Sequence, residues 1–155
     1  MKTMENSYKS SSHVQMQAEN LIFQRVEEFL EIRFERNKKI YLADNAFTYM
    51  QPDFYSEEHR IVGEIFAHIG KPKKAQDNKI ANDILKMLLL EKITGKQYRK
   101  ILVVCDAAEK KKLEGQSVLA ESIRQFRIEV MHIEIDEETK LQIMAAQELQ
   151  KMTNA

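Results

Sequence analysis

The sequence predicts one α/β domain in which a mixed central sheet is flanked by helices, and three observations carry that prediction. Apolar residues recur at helical spacing in some stretches and alternate or run continuously in the short segments between them. One segment, Lys100-Ile-Leu-Val-Val-Cys-Asp, is apolar almost throughout, the pattern of a strand covered on both faces. The 155 residues include only four glycines and two prolines, which speaks against a flexible string of modules and for a single core.

Residues 1–12 are rich in Ser, Lys and Asn and are expected to form a polar N-terminal tail ahead of a single domain over 13–155. From His13 to Arg33, Val14, Ala18, Leu21, Ile22, Val26, Phe29 and Leu30 recur at helical spacing and predict an amphipathic helix. Glu19 is in register with Ile22, Val26 and Leu30, so it borders the buried stripe. Residues 36–49 carry two β-favouring runs around Asp44-Asn45 and are expected to open a meander that continues into the strand of Pro52-Asp53. Proline is tolerated there because the start of a strand needs no ladder donor.

A polar turn over Ser56 to Arg60 leads into a second strand, Ile61 to Ile69. Side chains alternate along a strand, so Ile61, Gly63, Ile65, Ala67 and Ile69 are assigned to a core, and Glu64, Phe66 and His68 share the other face. After Lys71-Pro-Lys-Lys, residues 75–93 form a helix with an apolar stripe of Ile80, Ala81, Ile84, Leu85, Leu88 and Leu89, closed by Gly95. Gln76, Lys79 and Asp83 lie together on a neighbouring face. The Lys100 strand follows, then a helix over 107–126 interrupted at Glu114-Gly115-Gln116, a strand over 127–135, and a last helix capped by Asp136 and reaching Lys151.

The formal net charge is zero, from 24 basic and 24 acidic residues, so any nucleic-acid surface must be local. A lone Cys105 excludes an internal disulfide framework and a multi-cysteine zinc site. With Asp106 it marks a strand end, but no neighbouring histidine activates it as a nucleophile. No glycine-rich turn follows a strand, which argues against nucleotide binding of the P-loop or dinucleotide type. No window reaches the length of a membrane span and the first residues lack a signal-peptide core, so a cytoplasmic location without membrane association is expected.

The chemistry concentrates between Met50 and Gly70. Two strands joined by a tight turn can bring Asp53 and Glu64, eleven positions apart, to neighbouring points of a sheet, where two carboxylates suit a hard divalent cation. Pro52-Asp53, the turn, and Glu64 in an apolar strand resemble the PD-(D/E)XK nuclease superfamily, and the order of the first six elements resembles its restriction-endonuclease-like αβββαβ core over residues 13–106. The resemblance implies that Asp53 and Glu64 bind Mg2+ (or Mn2+), that Glu19 on the first helix completes the metal site, and that a lysine supports the reaction. The chain departs from the pattern where Phe66 stands in the place of that lysine.

Family members whose lysine has moved to the following helix make Lys79 the candidate, with His68 and Lys71 as competitors. The implied activity is metal-dependent hydrolysis of phosphodiester bonds in DNA, with Lys71, Lys73 and Lys74 as local phosphate contacts. Cutting both strands would call for a homodimer, and targeting would call for a partner protein. Phe66 and the neutral charge also fit the other class, an inactive nuclease-fold module that binds DNA or a protein partner. Ordinary structural roles are open as well: Lys79 as a solvated helix lysine, His68 as a hydrogen-bonded imidazole near a strand end, and the basic run as a loop that protects a sheet edge.

Overall fold

A computed structural model describes residues 4–70 and 73–153, with side chains described over 12–70 and 73–152. The first helix, α1 (Met4–Leu30), begins nine residues before the expected start, so residues 4–12 of the segment assigned to a tail belong to the helix, and residues 1–3 of it lie outside the described residues. It ends at Glu31, in the left-handed region at φ 56°, and Glu27 then accepts from the Phe34 amide at 2.9 Å and turns the chain toward the sheet.

The meander is shorter than its β-favouring composition suggests. β1 (Ile40–Tyr41) and β2 (Tyr49–Met50) pair only with each other, around an Asx turn in which Asn45 Oδ1 accepts from Phe47 and Thr48 at 2.7 Å each. The place beside the Pro52-Asp53 segment is taken instead by Glu35, whose backbone exchanges hydrogen bonds of 2.9 and 3.0 Å with Tyr55.

The main sheet consists of β3 (Phe54–Ser56), β4 (Ile61–Phe66), β5 (Arg99–Val104) and β6 (Ile128–His132), in that order. β3 runs antiparallel to β4, and β4, β5 and β6 are mutually parallel, so the sheet is mixed. The parallel crossovers are α2 (Lys74–Thr94) and the pair α3 (Ala107–Leu113) and α4 (Val118–Gln125), and α5 (Glu137–Thr153) closes the order. Gly95 takes φ 68° and returns its amide to Glu91 O at 2.9 Å, which ends α2 where the sequence places its stop. Ser117 and Asp106 cap α4 and α3, so the helix interrupted at Glu114–Gln116 is two short helices.

Both faces of β4 are covered. Ile61 and Ile65 join Ile22 and Val26 of α1, Ile101 of β5 and Ile143 of α5 in one core. Val62 and Phe66 join Ile80, Ile84 and Met87 of α2 with Leu113 and Ile123 in the other. The strand face expected to present Glu64, Phe66 and His68 is therefore enclosed, because α2 packs across it. Phe66 is 9 % and His68 8 % exposed. No helix among the described residues is long and apolar enough to cross a membrane.

Candidate functional site

The β3–β4 register pairs Phe54 with Gly63, and one further step along the same ladder sets Asp53 opposite Glu64. Gly63 is required for that register. A Cβ there would stand 1.9 Å from Cζ of Phe54, whose fully buried ring is held edge-on by Phe34 at 5.0 Å. Asp53 is fixed in turn by the Ile65 amide, which donates to its Oδ2 at 2.6 Å. The two carboxylates lie on the sheet face that α2 covers, as alternation from Val62 and Phe66 demands.

Their electrostatics follow from that placement. Burial pushes the Glu64 carboxyl far above the ordinary carboxylate range, and the Asp53 charge, a hydrogen bond shared with Asp53 and the Asp83 charge push it further, with Lys79 opposing them. Glu19 of α1 is also raised, first by burial and then by Asp53, while Lys79 and Arg36 draw it back. Asp83, on α2 one turn beyond Lys79, is raised by burial and by Asp53, against Lys79 and Lys86. Asp53, Glu64, Glu19 and Lys79 thus share one electrostatic centre.

Two further charged residues that act on this centre, Asp83 and Arg36, carry no role from the sequence. Asp83 was visible there only as a face-mate of Lys79. Arg36 follows α1 in an irregular segment, where no periodicity points to it. Its guanidinium lies 4.6 Å from the Phe23 ring centroid and donates to Asn20 Oδ1, which holds it beside Glu19.

Lys79 Nζ sits 5.6 Å from the ring centroid of Phe66, the residue two positions after Glu64. His68 stacks on the same phenylalanine, with ring centroids 5.9 Å apart. A cleft of about 570 Å³ opens from this wall, lined among others by Glu19, Phe66, His68, Lys73, Lys79 and Lys151. Lys74 is exposed on the first turn of α2 and does not line it, and Lys71 lies outside the described residues.

The wall of the cleft is tied together at the end of β4. Gln147 of α5 accepts from the Ile69 amide at 3.0 Å and donates to the Ile69 carbonyl at 2.8 Å, and Asp106 accepts from the Gly70 amide at 2.7 Å. Cys105 is fully buried beside this junction and its thiol is pushed up to about 12 by burial and by Asp106, so it is no nucleophile at neutral pH.

Among the described residues, no three His, Cys, Asp or Glu side chains are already drawn into a metal-ligating arrangement. The donor set nevertheless suits a hard cation, being all carboxylate oxygen. Burial and the neighbouring Asp53 favour a proton on the half-buried Glu64, at a place where a divalent ion would satisfy both carboxylates. No family model, curated protein or solved structure matches this chain.

Proposed function

We propose that this chain is a metal-dependent nuclease that hydrolyses phosphodiester bonds in DNA, built on a restriction-endonuclease-like core. The observation that carries the reading is the half-buried Asp53–Glu64 pair, in which Glu64 is pushed toward its protonated form by burial and by Asp53, with Glu19 and the Lys79 ammonium in the same electrostatic centre. A scaffold gains nothing from such a pair, since an unneutralised buried carboxylate costs stability.

Asp53, Glu64 and Glu19 would hold Mg2+ (or Mn2+) through oxygen. When bound, such an ion supplies a lowered pKa for a coordinated water and charge compensation at the phosphate. The chain's own residues do the rest. The Ile65 amide fixes the Asp53 carboxylate, so its orientation does not depend on a ligand. Lys79 is directed by the Phe66 ring and brings a mobile ammonium to the site, where it orients the attacking water or meets charge developing on the phosphate. Arg36 and Lys79 offset the acidic cluster from opposite partners, and the enclosing α1 and α2 limit water around it.

A second reading, an inactive module of the same fold that binds DNA or a protein partner, is favoured by Phe66, which can neither donate a hydrogen bond nor carry charge. Plasmid and single-stranded DNA cleavage with Mg2+ or Mn2+ separates the two. The nuclease reading expects wild type to cut, Glu64→Ala to abolish cutting and Lys79→Ala to slow it by about 10²-fold or more, the scale of a positioned charge-stabilising donor. Metal-independent silence of the wild type on every substrate would leave the binding module.

A further inference from the structure

The cleft beside the carboxylate centre has features that the hydrolytic centre itself does not use. α2 is 21 residues long and starts on two lysines, Lys73 at its N-cap and Lys74 after it. A helix N-terminus favours acceptors and negative charge, and a lysine there offers neither. Lys73 provides no side-chain cap, and the local bonding is limited to its amide donating to Gln76 Oε1 at 3.2 Å and its carbonyl accepting from the Gln76 amide at 3.1 Å.

Lys79 and Lys151, the latter from α5, line the same cleft, so three lysines and one acidic residue, Glu19, border it. Lysines at the positive end of a helix, here Lys73 and Lys74 with Asp77 as the one acidic residue of the first turn, are locally unfavourable, and such broken rules concentrate at functional sites. His68 is a separate observation. It lines the cleft, is more than nine-tenths buried, and its Nδ1 has no hydrogen-bond partner. A buried imidazole nitrogen without a partner is costly unless a ligand meets it.

We propose that this cleft is a phosphate subsite, in which the first turn of α2, Lys73, Lys151 and His68 hold a backbone phosphate neighbouring the scissile one. The wall is continuous with the carboxylate centre, running from Lys79 across the Phe66 ring to His68, so one strand reaches both. At about 570 Å³ the cleft exceeds a bare phosphate and admits the attached sugar and base, which meet its glutamine side chains. His68 on this reading is a binding residue and not the general base. The assignment of the phosphate to DNA rests on the nuclease reading; the anion site does not.

Two measurements test it on the full chain. In the first, inorganic phosphate is titrated while amide and imidazole NMR signals are followed. Saturable shifts are expected at Ala75, Gln76 and His68, weakened about tenfold or more in Lys73→Gln, a change at an exposed side chain that leaves the fold intact. Absent shifts, or shifts indifferent to Lys73, overturn the subsite.

In the second, oligonucleotides carrying a single neutral methylphosphonate at successive positions are bound in EDTA. One position flanking the cut site is expected to cost wild type about tenfold in affinity and Lys73→Gln almost nothing, since the partner charge is already lost. Equal losses in both proteins at every position overturn the strand-phosphate assignment. Glu64→Ala, which removes cleavage, is expected to preserve both readouts. If wild type neither cuts nor binds oligonucleotides while the phosphate titration stands, the nuclease reading fails. The subsite then holds a free phosphate or a small phosphate ester.

Discussion

At the scale of single residues, Glu64 connects stability to pH. Its folded-state pKa lies above its unfolded value, so the stability it contributes is full below the unfolded pKa and is lost as pH rises through the folded one. The metal-free protein should therefore lose thermal stability from about pH 5 through neutrality and beyond. A divalent cation competes with the shared proton, so stabilisation by Mg2+ or Ca2+ should grow over the same range. Glu64→Gln should raise the metal-free midpoint at pH 8 by about 3–6 °C and abolish the cation-dependent increment, as differential scanning fluorimetry with and without the ion would read. A cation-dependent shift that survives in Glu64→Gln would place the metal elsewhere.

Glu109 provides a contrast without a ligand role. Its side chain is fully buried on α3, both carboxylate oxygens lack partners, and burial followed by Asp77 and Asp106 raises its pKa against Lys112. The same sign applies, so Glu109→Met should stabilise the protein at pH 8 by about 1–3 kcal/mol and by much less at pH 4, with no effect on cation binding. Urea denaturation at the two pH values checks it.

At the scale of elements, the β3–β4 pair carries the register that makes the site. Gly63→Ala would drive a methyl into the Phe54 ring, and the edge contact from Phe34 leaves that ring no direction in which to yield. A cost of about 3 kcal/mol is expected, together with loss of cleavage because Asp53 adjoins Phe54. Adding Phe54→Leu should recover part of the stability, and a strictly additive double mutant would show that the two residues do not meet.

The pairing of Asp53 with Glu64 was legible from Pro52-Asp53, the polar turn and the apolar strand, because a two-residue period and a tight turn fix which side chains can oppose. The enclosure of Phe66 and His68 was not. Alternation tells which residues share a strand face but says nothing about whether a helix covers it, and here α2 does. The isolation of β1 and β2 was hidden for a related reason: β propensity reports a fit to some sheet without specifying which one. Lys79 was singled out by the resemblance and by its place early in the helix after the Glu64 strand, whereas Arg36, on an irregular segment, carried no periodic signal.

At the scale of the whole molecule, a formal net charge of zero limits how DNA could be held on the nuclease reading. Three lysines gathered in one cleft, on a chain with as many acidic as basic residues, predict binding through few phosphates. The logarithm of the DNA association constant in EDTA should therefore fall with the logarithm of salt at a slope of about −3, and Lys73→Gln should reduce that slope by about one. A slope near −8 would mean that a broad surface, and not the cleft, carries the affinity.

The bonds from Gln147 to Ile69 span 78 positions of sequence. They join α5 to the segment that follows the strand bearing Glu64, and α5 also contributes Lys151 to the wall of the cleft. During synthesis, β3, β4 and α2 leave the ribosome well before the residues that frame their binding surface. Closing so long a loop is entropically slow, so the carboxylate pair is expected to assemble before α5 docks and completes the cleft. On the nuclease reading, a nascent chain caught between those two events would carry its acidic residues but not the completed seat for a strand, so any attack on nearby nucleic acid would wait until Lys151 has been made and α5 has docked.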